Sequence, residues 1–128
     1  MKLVCFPWAG GSSALYAPWL KHPALASTFT SITCVDHPGR ASRSDQEPVG
    51  HIDPLVDDIL DQYVDCFFGG DTEEIVLFGH SFGAIVVFEV ARRLEERGRA
   101  AKAVFVSASG GYCFVLKCFE HYHYHYYN

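Results

Sequence analysis

No stretch of this chain approaches the roughly 18 consecutive apolar residues that a membrane-spanning helix needs. Positive charge is also short. Ten Lys and Arg stand against 15 Asp and Glu, for a net charge of −5. That balance lacks the basic excess with which proteins hold nucleic-acid phosphates. Neither a membrane nor a nucleic acid is therefore the expected partner. The opening MKLVCF begins like a secretory signal, but Pro7, Gly10 and Gly11 interrupt it before an apolar core forms. The five cysteines are odd in number and irregular in spacing, which does not make a disulfide framework. Reduced, inert thiols in a cytoplasmic protein are the expectation.

What is present is a chain of 128 residues, 49% hydrophobic, long enough for one core: a single domain or a fragment of one. LVCF (3–6) and SITCVD (31–36) read as buried strands, each stopped by a turn sequence, PWAGG and HPGR. LYAPWLK (14–20) suggests a short helix. Residues 52–68 have apolar positions at helical spacing, with Asp57, Asp58, Asp61 and Asp65 on the other face, Asp53 as a cap and Gly69-Gly70 as a stop. The acidic stripe reads as a solvated face. EEIVLFG (73–79) and KAVFVSA (102–108) are further strands. Between them residues 83–97 form a helix, apolar almost all round at first and charged later. Continuous apolar strands alternating with helices predict an α/β fold with a parallel sheet of about four strands, covered by helices on both faces. No internal repeat or interdomain linker interrupts it.

The stretch that carries chemistry is LFGHSFGAIVVFEVA. Gly79-His80-Ser81-Phe82-Gly83 is a G-x-S-x-G sequence placed between a strand and a helix, the context in which it forms a nucleophile elbow. The glycines allow a strained turn against closely packed backbone. The turn lifts the Ser81 hydroxyl above the sheet and leaves the Phe82 amide, at a helix N-terminus, free to donate to a developing oxyanion. The loop FPWAGG (6–11) can supply a second donor, the amide of Ala9, with Trp8 as the alternative. Both loops leave the same end of a parallel sheet, where such folds bind ligands. His80 is expected to point away from Ser81 and to serve the elbow structurally.

FPWAGG, HPGR, LFGHSFGA and FVSAS together resemble the thioesterase family of α/β-hydrolases, the type II thioesterases of polyketide and nonribosomal peptide synthesis and the medium-chain S-acyl fatty acid synthase thioesterase. The resemblance covers roughly residues 2–109. It implies hydrolysis of acyl thioesters carried on the phosphopantetheine arm of an acyl carrier protein, with Ser81 as nucleophile, Ala9 and Phe82 as oxyanion donors, and neither cofactor nor metal. It also implies a sheet with the second strand outside the first and the third and fourth on the other side. Arg40 and Arg43, near the cleft, are candidates to meet an acidic carrier.

The same family completes its triad with an acid and a histidine later in the chain, on segments that this sequence does not contain. No aspartate follows Ser81. Residues 110–128, ending HYHYHYYN, match neither the family nor a helical period, and read as a disordered tail. Glu120, His121, His123 and His125 have the right order for a substitute acid and base, and alternate histidines have metal-binding chemistry, but the plainer reading is a tail without selected structure. The sequence thus reads as a truncated thioesterase, inactive or impaired, with the non-catalytic carrier binder and the carboxylesterase as alternatives. Loss of the next strand would leave KAVFVSA as an exposed apolar edge.

Overall fold

The computed structural model describes residues 1–70 and 72–107, and the course of the chain at 113–116 and 124–127. Four strands run parallel: β1 (Lys2–Phe6), β2 (Ser31–Cys34), β3 (Ile75–His80) and β4 (Ala103–Ser107). Their order is β2-β1-β3-β4, so the loops after β1 and β3 leave neighbouring strands. Side chains alternate between faces. Val4, Phe6, Ile75, Leu77 and Val104 face one side, under α2 (Ile52–Gln62) and α4 (Phe82–Glu96), whose Val56, Ile59, Leu60, Val86, Val87, Val90 and Leu94 complete the main core. Leu3, Cys5 and Val76 face the other side with Tyr16, beneath α1 (Pro23–Thr28) and two 3₁₀ turns.

The expected helix over 52–68 is two helices, α2 and α3 (Val64–Phe68), broken at Tyr63 (φ −107°, ψ 27°). The break falls where the Tyr63 hydroxyl accepts the Asp36 backbone N–H at 2.8 Å, committing the side chain to the end of β2. His51, not Asp53, occupies the N-cap position. Asp53 instead pairs with Arg93 of α4 at 2.8 Å, and Asp57 pairs with the same guanidinium. Part of the acidic stripe thus fastens α2 to α4. α4 is less enveloped than its composition predicts: Val86 and Val87 are fully buried, while Ile85 and Phe88 are exposed. It ends at Gly98, whose φ of +74° suits glycine.

β4 is not the sheet's edge. β5 (Cys113–Leu116) pairs antiparallel with it, and β6 (Tyr124–Tyr127) pairs antiparallel with β5. These two segments of the expected disordered tail therefore run as strands. An open ladder pairs with available extended chain, and the alternating His and Tyr have the two-residue period of a strand. Glu120, His121 and His123 lie outside the described residues. Among the described residues no helix is long and apolar enough to cross a membrane.

Candidate active site

β3 ends at His80, and α4 begins at Phe82. Ser81 joins them at φ 54° and ψ −114°, a backbone conformation that L-residues avoid. Holding it costs on the order of 1–3 kcal/mol. The surroundings fix it from both sides. Ser81 N–H donates to Ser107 O at 2.8 Å, and Ala84 N–H donates to Ser81 O at 2.9 Å. The flanking glycines are dictated by close backbone approach. A Cβ on Gly79 would lie 2.2 Å from Gly83 O, and one on Gly83 would lie 2.1 Å from Phe6 O. The ends of β1 and β3 and the start of α4 thus meet backbone against backbone, and Ser81 is left exposed at the summit.

The loop after β1 faces it. Phe6 and Pro7 are buried, whereas Trp8, Ala9 and Gly10 are exposed. Gly11 N–H closes the turn on Trp8 O at 2.9 Å, and the Tyr16 hydroxyl secures Phe6 O at 3.1 Å. Trp8, Ala9, His80 and Ser81 line an open cleft of about 290 Å³. The structure therefore brings Ser81 and Ala9 together. Phe82 N–H belongs to the first turn of α4, where amides have no intrahelical acceptor and the helix dipole is positive. His80 is a wall of this cleft: its Nδ1 lies 3.1 Å from Ser107 Oγ and its ring stands edge-on to Trp8, centroids 5.5 Å apart. Among the described residues no side chain hydrogen-bonds the Ser81 hydroxyl.

The loop after β2 supports the site from below, through residues that sequence reasoning missed. Asp36, 4% exposed, accepts Ser13 N–H at 2.7 Å, Ser13 Oγ–H at 3.0 Å and Ser42 Oγ–H at 2.7 Å. Burial by itself would raise its pKa, but the hydrogen bonds from Ser13 and Ser42 outweigh that and hold it below the usual carboxylate range. His37, 8% exposed, stands edge-on to Phe82, centroids 5.7 Å apart, with Nε2 unpartnered. Burial is the main cause that lowers its pKa, with Arg43 and Arg40 acting the same way against Asp36 and Asp58. The signal in the sequence was a polar pair, Asp-His, directly after an apolar strand. Arg43 departs from expectation: it is 5% exposed and forks onto both Asp58 oxygens at 2.7 Å, so it is a structural tie. Arg40 is exposed. Among the described residues no group of three or more His, Cys, Asp or Glu is placed to hold a metal ion.

Residues 1–111 match the thioesterase domain family. The chain is 35% identical over 113 residues to the "Probable cadicidin biosynthesis thioesterase" of Streptomyces griseus, covering 87% of this chain and 29% of that protein. It is 30% identical over 100 residues to the human "S-acyl fatty acid synthase thioesterase, medium chain", covering 77% of this chain and 35% of that one. The fold is similar to that of RedJ, a thioesterase from the prodiginine biosynthetic pathway in Streptomyces coelicolor, with a TM-score of 0.67 at 31% identity over 82% of this chain and 38% of RedJ. It is also similar to YbtT, a type II thioesterase from the yersiniabactin pathway, with a TM-score of 0.68 at 31% identity over 80% of this chain and 39% of YbtT. The chain thus spans between a quarter and a half of the length of these relatives.

Proposed function

This chain belongs to the thioesterase family, and from that premise we propose that Ser81 is its nucleophile toward an acyl thioester on the phosphopantetheine arm of an acyl carrier protein. The observation that carries this reading is the strained φ of +54° at Ser81, held in a cleft that Ala9 shares. Strain of that kind persists where the surroundings over-determine it, as at functional sites. Ser81 Oγ attacks the thioester carbonyl. The amides of Phe82 and Ala9 receive the oxyanion, the C–S bond breaks, and the phosphopantetheine thiol leaves with a proton. Water then hydrolyses the acyl-serine. The similarity to thioesterases of fatty acid, polyketide and nonribosomal peptide pathways supports the substrate class. Arg40, exposed on the loop after β2, is the proposed contact for an acidic carrier.

A serine hydroxyl needs a base beside it. His80 is engaged with Ser107, and Ser81 Oγ has no partner among the described residues. The 128-residue polypeptide by itself is therefore proposed to be inactive or impaired, slower than a complete triad by several orders of magnitude, with residual turnover from the oxyanion donors. The test is labelling of the folded chain by a fluorophosphonate, with Ser81→Ala as control. Weak or absent labelling is expected. Strong labelling lost in Ser81→Ala would show that a base reaches Ser81 and would overturn the impaired reading. Strong labelling retained in Ser81→Ala would remove Ser81 as the nucleophile.

A further inference from the structure

The second face of the sheet holds a feature that the hydrolytic reading does not use. Cys5 and Cys34 are direct partners in the parallel register of β1 and β2, so their side chains share a face. Val35 N–H donates to Cys5 O at 2.9 Å immediately beyond the pair, fixing the two strands there. Neighbouring strands lie about 4.8 Å apart, inside the range of roughly 4.4–6.8 Å that a disulfide spans between Cα atoms. The two thiol groups are near enough to perturb each other, in opposite directions: the pKa of Cys5 is raised and that of Cys34 lowered. Cys66 is not part of this pair. It contacts Thr33 at 3.7 Å, and Thr33, adjacent to Cys34 along β2, faces the opposite side.

We infer that Cys5 and Cys34 are a redox modification site, at which a hydroperoxide converts two thiols into a disulfide across β1 and β2. The roles are unequal. β2 is the outermost strand and Cys34 is half-buried, whereas Cys5 is 0% exposed. Interaction with Cys5 lowers the pKa of Cys34, and interaction with Cys34, with burial, raises that of Cys5. Cys34, in the less buried position and with the lower pKa, is the nucleophile of the pair. It attacks the peroxide oxygen, the O–O bond breaks, and hydroxide leaves. Cys5 sulfur then attacks the Cys34 sulfenic acid, gives up its proton and releases water. Two thiols and one hydrogen peroxide yield one disulfide and two waters. The link joins the strands that lead into the FPWAGG and HPGR loops.

Tryptic mapping of the full chain tests this cleanly, because Cys5 lies in peptide 3–21, Cys34 in 22–40 and every other cysteine elsewhere. The folded chain is treated with a small excess of hydrogen peroxide, alkylated and digested. The expected result is a linked 3–21/22–40 product, 2 Da lighter than the two free peptides together and restored by dithiothreitol. In Cys34→Ser, Cys5 should remain a free thiol; in Cys5→Ser, Cys34 should accumulate as a dimedone-reactive sulfenic acid. No link in the folded chain, a link to another cysteine, or equal formation of this link in the urea-denatured chain would each overturn the inference. None of these readouts involves Ser81, so they stand apart from the hydrolase reading.

Discussion

Asp36 and Ser13 tie the loop after β2 to the segment that follows FPWAGG, carboxylate to backbone N–H at 2.7 Å and to hydroxyl at 3.0 Å. The buried carboxylate also takes the Ser42 hydroxyl, so three donors from two loops converge on one side chain. Its charge is held in place by donors instead of by a cation. The geometry of the proposed oxyanion loop therefore rests on a residue that does not line the cleft.

Asp36→Asn keeps the shape but loses part of that acceptor set. It should destabilise the fold by about 2 kcal/mol, as for a hydrogen bond to a charged group. The pH dependence follows from the lowered pKa of Asp36. Its contribution is fully present above the unfolded value of about 3.9, and is lost as the pH falls through the depressed folded value. Urea midpoints at pH 7 and at about pH 3, below the unfolded value, should therefore differ more for the wild-type chain than for Asp36→Asn. Equal differences in both would remove Asp36 as a source of acid sensitivity.

Gly83→Ala should be among the most damaging small changes in the chain. The added Cβ would sit 2.1 Å from Phe6 O and 2.7 Å from Pro7 O, both backbone atoms that cannot rotate away. Overpacking of this kind costs about 3 kcal/mol or more. Loss of soluble protein, or a large drop in the urea midpoint, is the expected outcome. Gly50→Ala, where nothing lies within 4 Å of the new Cβ, is the matched control and should behave like the parent.

The parts legible in the sequence are those set by local chemistry. Apolar runs closed by turn residues located the four parallel strands. Strand, G-x-S-x-G and helix located the elbow, because close backbone packing admits only glycine at Gly79 and Gly83. What escaped depends on partners far along the chain. Arg43 reads as a surface charge until Asp58 is placed beside it. The break at Tyr63 depends on Asp36, 27 residues earlier. α1 was missed because Pro23–Thr28 buries no residue and so has no apolar period to detect. The strands β5 and β6 needed the ladder of β4 to be recognised.

Ser81→Gly and Ser81→Ala separate the two duties of this position. Both remove the hydroxyl and should abolish any serine-directed labelling. Only glycine adopts a φ of +54° without steric cost. Ser81→Gly should therefore be more stable than Ser81→Ala by about 1 kcal/mol, read from urea midpoints. Equal stability would mean that the elbow carries no strain to release.

His37 sets a second, separate sensitivity to acid. Its folded pKa is lowered, chiefly by burial, so the unfolded chain binds a proton at a pH where the folded chain does not. The stability from keeping it neutral is complete above the unfolded value of about 6.5 and is lost as the pH falls below it. His37→Phe preserves the edge-on contact with Phe82 and removes the buried Nε2 that has no partner. Replacing an unsatisfied polar atom with an apolar edge should leave stability unchanged or higher at pH 8. At pH 5.5 the variant should exceed the parent by a wider margin, because its ring cannot be protonated. Melting curves at the two pH values decide it: a margin that narrows on acidification would mean that His37 is protonated in the fold and paired with Asp36 or Asp58.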